Sequence, residues 1–177
     1  MRLPPNLSRS GVTSGVVTKI AGAGFSGSTD GIGSSASFNN PWGVAVAADG
    51  SVFVADTSNN SIRKITAAGV VSTFAGAIAN GLGVTGSADG IGAAASFNKP
   101  IGIAVDSSGN VYVADSGNNT IRVINQSGVV STFVGSAKSI GNLPGPLPAS
   151  LASPTSVTIF GSSLYITVYN AVLRVGL

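Results

Sequence analysis

NKPIGIAVDSSGNVYVADSGNNTIRVI, residues 98–124, is the stretch that decides the fold of this chain. Nearly the same sequence, NNPWGVAVAADGSVFVADTSNNSIRKI, stands at 39–65, and a divergent third copy occupies 154–175. In each copy, short apolar runs alternate with Gly, Asn, Asp and Ser, which is the pattern of short strands joined by tight turns. The copies therefore predict three repeats of one unit that contains three antiparallel strands.

A fourth apolar strand accompanies the repeats. GVVTKIAG at 15–22 returns as GVVSTFAG at 69–76 and as GVVSTFVG at 128–135. Self-similarity at a fixed period indicates a repeat architecture, and four short strands joined by antiparallel turns match one blade of a β-propeller. No stretch shows the 3.6-residue apolar period of a helix. We therefore predict an all-β fold, a β-propeller of four-stranded antiparallel blades.

Three blades are expected in this chain, which is half of a six-bladed ring. Their approximate bounds are 41–76, 100–135 and 154–175. The third is completed by the outer strand at 15–22, which a partner chain can supply. Residues 1–14 contain Pro4-Pro5, which disfavours a helix or a central strand, and are predicted to be a flexible N-terminal arm. The propeller domain is then 15–177.

Three long connections, 22–40, 77–99 and 136–153, lead into the repeats. The first two contain near-copies, STDGIGSSASFNNP at 28–41 and SADGIGAAASFNKP at 87–100, whereas the third is richer in Pro. Long loops in compact domains are usually functional or packed down by their own side chains. We expect Phe38 and Phe97 to anchor the first two connections.

The composition argues against catalysis. The chain has nine Lys and Arg and six Asp and Glu, with no His and no Cys, and every carboxylate side chain is an Asp. The commonest general base, metal ligand and thiolate nucleophile are therefore missing. The Asp-Gly-Ile-Gly segments at 30–33 and 89–92 offer one carboxylate each and precede no helix, which disfavours a Ca²⁺ or phosphate loop. We predict no enzymatic activity, no cofactor and no metal site.

The charge distribution also limits the partners. Lys and Arg are spread along the chain instead of clustering as they do in nucleic-acid binders, and no apolar run reaches the ~20 residues that span a bilayer. Low charge, the absence of Cys and many Ser, Thr and Asn favour an extracellular or cell-surface location. Residues 1–14 lack the apolar core of a signal peptide.

Residues 100–124 resemble the NHL repeat, whose pattern runs P-x-G-[IV]-A-V-D-x-x-G-N-[VL]-Y-V-A-D-[TS]-x-N-x-x-[IV]-x-[KV]. Residues 41–65 fit nearly as well. In the third copy, Ser156 replaces the Gly after Pro, Val168 replaces the Asp at the strand end, and the following turn is shorter. The resemblance implies a propeller, but it leaves the function open, because NHL propellers include protein-binding sensors, RNA-binding domains and an amidating lyase that uses metal-bound His.

Candidate binding residues come from one expected face. In propellers, the connection into each innermost strand and the turn between the second and third strands open on the same side, and function tends to reside on such loops. The candidates are the repeated polar residues of this side and the only Trp of the chain: Trp42, Asp56, Asn59, Asn60, Arg63, Lys99, Asp115, Asn118, Asn119 and Arg122.

Each group of candidates also has a structural interpretation. Asp56 and Asp115 can accept backbone N–H groups in Asx-type turns. The Arg residues at 63, 122 and 174, which we assign to one strand position, can pack their stems with the guanidinium exposed or paired. Trp42 can belong to the core or contact a ligand at the mouth of the channel.

The leading functional hypothesis is a non-catalytic NHL-repeat binding or scaffold domain. It would present loops on one propeller face to a protein or glycan partner. The alternatives are an RNA-binding NHL propeller and a fragment of a larger NHL protein with lyase-like or hydrolase-like activity.

Three blades cannot close on themselves, because closed propellers have four to eight. Two copies related by a two-fold axis would make six, with strand 16–21 of each pairing with triplet 156–175 of the other. We therefore expect a homodimer that completes a six-bladed ring. The rival explanation is that 1–177 is a piece of a longer chain that carries the remaining blades.

Overall fold

The computed structural model of the chain describes residues 17–137, 139–141, 145–146 and 148–177. The predicted N-terminal arm, 1–14, lies outside the described residues. Three antiparallel sheets and one small hairpin make up the described part, which contains no α-helix. None of its helical segments is long and apolar enough to cross a membrane. The predicted all-β class is confirmed.

Sheet 1 has five strands in the order β1-β5-β4-β3-β2. Its strands are β1 (Gly31–Ile32), β2 (Pro41–Val46), β3 (Val52–Asp56), β4 (Ser61–Ile65) and β5 (Val70–Ala75). Short 3-10 turns occupy Gly33–Ser35 and Thr57–Asn59. The β2–β3 turn forms because Gly50 adopts a left-handed φ of +81° and the Asp49 carboxylate accepts the Ser51 N–H at 2.9 Å.

Sheet 2 repeats this plan after an inserted hairpin. The hairpin consists of β6 (Ile78–Ala79) and β7 (Leu82–Gly83) around an Asn80-Gly81 turn. Sheet 2 has the order β8-β12-β11-β10-β9. Its strands are β8 (Gly90–Ile91), β9 (Pro100–Val105), β10 (Val111–Asp115), β11 (Thr120–Ile124) and β12 (Val129–Gly135), with 3-10 turns at Gly92–Ala94 and Ser116–Asn118. The strands predicted at 69–76 and 128–135 are confirmed as β5 and β12.

Sheet 3 is smaller. It contains β13 (Ser156–Phe160), β14 (Ser163–Val168) and β15 (Ala171–Gly176), and within the described residues no fourth strand pairs with β15. Within this single chain, residues 17–22, the described part of the strand predicted at 15–22, form no strand. A strand needs a neighbouring backbone for its hydrogen bonds, and this segment has no triplet beside it.

Sheet 1 packs on sheet 2 in the same way as sheet 2 packs on sheet 3. One buried cluster joins Phe53 and Ile62 of sheet 1 to Ile103 and Val113 of sheet 2. A second cluster joins sheet 2 to Val157, Leu164 and Ile166 of sheet 3. The close approach requires glycine at the Pro-x-Gly position: a Cβ on Gly102 would lie 2.6 Å from the Ser156 Cα, and one on Gly43 would collide with the Ile101 carbonyl oxygen.

Candidate functional site

The long connections and the turns between second and third strands lie at the same end of the sheets. The Ser58 N–H donates to the Asn39 carbonyl oxygen at 3.1 Å, and Asn59 Nδ2 donates to the Gly27 carbonyl oxygen at 2.8 Å. In sheet 3 the Tyr169 N–H donates to the Ala152 carbonyl oxygen at 3.1 Å. This juxtaposition confirms the predicted arrangement. We call the end formed by connections 22–40 and 77–99, the described part of connection 136–153 and these turns the loop face.

A buried arginine fastens the first connection to sheet 1. Arg63 is fully buried, and its Nη1 donates to Asp56 Oδ2 at 3.0 Å and to the Ser37 carbonyl oxygen at 2.9 Å. Its Nη2 donates to Asp30 Oδ1 at 2.6 Å and to the Thr29 carbonyl oxygen at 3.0 Å. Because two carboxylates and two carbonyls from the loop and the sheet share one guanidinium, the connection is held at two points, Thr29-Asp30 and Ser37.

Arg122 repeats this arrangement in sheet 2. It is also fully buried and donates to Asp115 at 3.0 Å, to Asp89 at 2.6 Å and to the carbonyl oxygens of Ser96 and Ala88. We call each of these sets an arginine clamp: Arg63 with Asp56 and Asp30, and Arg122 with Asp115 and Asp89. The guanidinium carbons of Arg63 and Arg122 also lie 5.2 Å from the ring centres of the predicted anchors, Phe38 and Phe97.

Asp56 and Asp115 do not cap Asx-type turns, so that interpretation is wrong. Asp115 Oδ1 accepts the N–H of Asn98, 17 residues earlier in the long connection, at 2.8 Å, and Asp56 does the same with Asn39 at 2.7 Å. Asn118 donates its amide to Asp115 Oδ2 at 2.7 Å. Burial raises the pKa of Asp115 to about 6, although the Asn98 N–H, the Asn118 amide and Arg122 lower it, and burial also raises the pKa of Asp56.

Arg174 does not share the strand position of the clamp arginines. Val113 pairs with Arg122 in sheet 2, whereas the matching Ile166 of sheet 3 pairs with Leu173. Arg174 lies one residue further along and is exposed. Our assignment of the three Arg residues to one position is therefore wrong, and sheet 3 has no arginine clamp.

Two candidate amides tie one sheet to the next. Asn60 accepts the N–H of Lys99 at 2.8 Å, and Asn119 accepts the N–H of Ser153 at 2.9 Å. All four residues have left-handed backbone conformations, which Asn tolerates better than most residues. Like Asn59 and Asn118, these side chains are buried or nearly so and have structural partners.

Trp42 and Lys99 remain as the exposed members of the candidate set. Trp42 is 64% exposed, so it is not a core residue of the described structure. Both line a loop-face concavity of about 450 Å³ between sheets 1 and 2. The rest of its lining is Ile101 and uncharged polar side chains, so Lys99 is its single charge.

The long connections also carry exposed apolar side chains. Phe25, Leu82 and Ile140 are exposed, one on each of the three long connections. The Ser28 hydroxyl donates to the Gly81 carbonyl oxygen at 2.8 Å, which holds the inserted hairpin against the first connection. Sequence reasoning missed these residues because they lie outside the repeated motif. The Asn80-Gly81 pair, a strong hairpin signal, could have identified the insertion.

The opposite end of the sheets carries a smaller cleft of about 260 Å³. It is lined by the Phe53 and Phe74 rings, whose centres are 5.1 Å apart, and by charges of both signs on Lys64, Asp49 and Asp106. Among the described residues, no three of His, Cys, Asp and Glu come together as a potential metal site.

The sequence of this chain is similar to a known family and to a plant protein. The NHL repeat family matches residues 38–65 and 97–124. The protein SUPPRESSOR OF QUENCHING 1, chloroplastic, of Arabidopsis thaliana is 34% identical over 99 residues, which cover 55% of this chain and 9% of that protein.

Solved structures address the fold. A protein of unknown function from Bacteroides thetaiotaomicron is 26% identical with a TM-score of 0.66, over 76% of this chain and 34% of that one. An auxiliary nutrient binding protein from Bacteroides ovatus is 19% identical with a TM-score of 0.61, over 72% of this chain and 34% of that one. This chain thus spans about a third of the length of each.

These neighbours are NHL-like β-propellers. The predicted motif recurs in this chain at the two places where an arginine clamp joins a long connection to its sheet. The chain therefore contains two matches to the NHL repeat family, and its fold is all-β and β-propeller-like.

Proposed function

We propose that this chain is a non-catalytic binding module whose loop face holds a protein or glycan partner. The observation that carries the proposal is that this face contains two sets of residues, one that is buried and holds the loops and one that is exposed to a partner. Two arginine clamps fix the backbone of the connections internally, while Phe25, Leu82 and Lys99 stay exposed on it. Because the loops are ordered before a partner arrives, binding costs less conformational entropy.

The exposed chemistry suits a partner that combines apolar and hydrogen-bonding groups. Exposed Phe and Leu side chains offer apolar contact, and the concavity offers amides, hydroxyls and one ammonium group. Such a mixture resembles the anchors and polar contacts of protein interfaces. An exposed aromatic ring such as Phe25, together with amides on the same face, also fits a sugar, since a sugar ring has one apolar face and hydrogen-bonding groups.

The finer architecture is part of the same proposal. We interpret the three sheets as three blades, half of a six-bladed ring, with the loop face on one side of that ring. The support is the repeated packing of sheet 1 on sheet 2 and of sheet 2 on sheet 3.

The test compares two variants of the whole chain. One carries Phe25→Ser, Leu82→Ser and Lys99→Asn; Asn suits position 99 because Asn40 holds the equivalent place with a φ of 53° against 52° for Lys99. The control is Phe160→Ser, an aromatic that is 80% exposed, against 71% for Phe25, and that lies beside the turn at the opposite end of sheet 3. Both variants must retain the wild-type circular dichroism and melting temperature.

Three probes are applied: a glycan array, cross-linking in an extract of the source cells, and a mixed RNA pool at ~50 mM salt. We expect a glycan or protein to bind the wild type and the control at least tenfold better than the triple variant. Equal binding by all three would contradict the loop face. Binding of the RNA pool would favour the RNA alternative, which the described charges disfavour because Lys19, Lys64, Lys99 and Arg174 are scattered. Stoichiometric metal in the purified protein would favour a lyase-like enzyme.

A further inference from the structure

We propose that a second copy of this chain covers the open face of sheet 1 and receives residues 17–22 of its partner as the fourth strand of its own sheet 3. Two copies then close one ring through two identical contacts, which we call closing seams. The proposal is independent of what the loop face binds.

Sheet 1 exposes a face whose equivalents in sheets 2 and 3 are buried. Val44, Ile103 and Val157 occupy the same position in β2, β9 and β13, as their pairing with Val54, Val113 and Ile166 shows. Their exposed fractions are 64%, 7% and 4%. In sheets 2 and 3 the cover is the preceding sheet. What fits the face of sheet 1 is therefore another sheet of this same repeat.

Residues 17–22 already lie where the fourth strand of a preceding sheet would lie. The Gly22 N–H donates to the Gly33 carbonyl oxygen at 3.1 Å, as the Gly76 N–H does to the Gly92 carbonyl oxygen at 3.1 Å. Ala21 packs on the cluster of sheet 1 that contains Val71. The residue before Gly76, Ala75, packs on the matching cluster of sheet 2. The segment thus keeps the position of β5 but pairs with no strand among the described residues.

Sheet 3 provides the missing partner. β4 and β11 each pair with a fourth strand, β5 and β12, whereas β15 has a free edge within the described residues. A free strand edge is a site for strand addition. Residues 17–22 are an unpaired segment and β15 has an unpaired edge among the described residues, and a two-fold axis between two copies satisfies both at once.

The two internal contacts fix the register of the closing seam. Lys64 pairs with Ser72, and Val123 pairs with Ser131. Counting from the shared Gly and along the shared third strand, the equivalent residues are Thr18 and Arg174. We therefore expect Arg174 of one copy to lie opposite Thr18 of the other.

The closing seam must also differ from the two sheet contacts within the chain at the Pro-x-Gly position. Gly43 and Gly102 have no room for a Cβ against the next sheet, and the equivalent residue of sheet 3 is Ser156, which has one. The residue that meets it from the second copy is Trp42, where sheets 2 and 3 have Ile101 and Thr155. At the closing seam the Ser156 side chain would keep the two sheets further apart, and the large Trp42 side chain would fill the wider gap. Trp42, which is exposed in one chain, would then be covered.

A disulfide tests the register directly, because the natural chain contains no Cys. Strand neighbours in register meet the Cα separation that a disulfide needs. The variant with Thr18→Cys and Arg174→Cys should form covalent dimers on mild oxidation, with both thiols consumed. Each single variant should stay at the chain mass of 17.3 kDa on a non-reducing gel. The pair Lys19→Cys and Arg174→Cys, one residue out of register, should cross-link at least tenfold less. Absence of the dimer in a folded Thr18/Arg174 double variant would overturn the register.

A charged residue on the open face of sheet 1 tests whether a second copy covers that face. Light scattering should give twice the chain mass for the wild type and the single chain mass for Val44→Asp. Ile91→Asp is the matched control, since Ile91 is 65% exposed at the outer edge of sheet 2 and should leave the dimer intact. A folded wild-type monomer would overturn the proposal and would point to cover by residues 1–16 or by further repeats of a longer chain. Loss of loop-face binding in an intact dimer would concern the proposed function alone.

Discussion

Sheets 2 and 3 have the same three-strand framework, yet only sheet 2 encloses a buried charge cluster. Where sheet 2 has Asp115 and Arg122, the same positions of sheet 3 hold Val168 and Leu173. Both charges are replaced together, as expected when an unpaired buried charge is far more costly than an apolar pair. The connection that precedes sheet 3 also lacks the Asp-Gly-Ile-Gly segment. The comparison teaches that the clamp serves the long connection and is not needed to build the sheet.

Removing the clamp should produce the largest effect on stability. Arg122→Ala leaves the buried Asp115 without its cation and frees the carbonyl oxygens of Ser96 and Ala88. Breaking a buried ion pair costs about 3–5 kcal/mol, and urea denaturation measures this loss. Arg174→Ala, at an exposed position of sheet 3, should change the free energy of unfolding by less than about 0.5 kcal/mol. Similar losses in the two variants would contradict the comparison.

The free energy of unfolding should depend on pH through the buried Asp residues of the arginine clamps, which sheet 3 lacks. The pKa of Asp115 rises from 3.8 to about 6 on folding because of burial. Between these values the folded state binds a proton that the unfolded state does not. This contribution to stability is therefore full below pH ~4 and is lost as the pH rises through about 6; the shift corresponds to an upper limit on the order of 3 kcal/mol.

Asp115→Asn is the control for this titration, since the amide is neutral at every pH. The variant should lose part of the decline in unfolding free energy between pH ~4 and ~6, while Asp56 retains its own share. A variant whose pH profile superimposes on that of the wild type would show that Asp115 does not titrate there. The measurement is a series of denaturation curves at constant ionic strength.

Exchanging Gly and Ser between the sheets should produce smaller effects. Gly102→Ser puts a Cβ 2.6 Å from the Ser156 Cα and 2.8 Å from the Thr155 carbonyl oxygen, so we expect a loss of about 1–3 kcal/mol from overpacking. Ser156→Gly should cost only about 0.5–1 kcal/mol, the conformational penalty of glycine in a strand. Equal costs would mean that the two positions are equally confined.

Much of the fold could be predicted because the repeat carries it locally. Strand alternation, the Asp49-Gly50 and Gly109-Asn110 turns and the recurring Gly-Val-Val segments each specify a short element. Residues 17–22 form no strand within one chain, because a strand is defined by its neighbour as well as by its own sequence. The sequence of 15–22 matches β5 and β12, but the triplet that would pair with it is absent beside it.

The site was harder to predict for a physical reason. Asp56, Arg63 and their counterparts look like a repeated polar surface, but each finds its partner some 17 to 34 residues away in the connection. Such non-local pairing is invisible in a strand pattern, and it buries residues that we had placed on a binding face. Phe25 and Leu82 carry no repeated motif, and only the three-dimensional structure shows them to be exposed on one end.

Hydrogen exchange of Arg122→Ala tests most directly whether the clamp orders the loop face. Within connection 77–99, the Gly86 and Ser96 N–H groups donate to backbone oxygens and the Asn98 N–H donates to Asp115. Connection 22–40 has the equivalent bonds under its own clamp and serves as the internal control. Amides that exchange through local opening report the stability of their own segment. We predict at least tenfold faster exchange in 77–99 with 22–40 unchanged, whereas unchanged exchange in 77–99, or equal acceleration in both connections, would contradict the account.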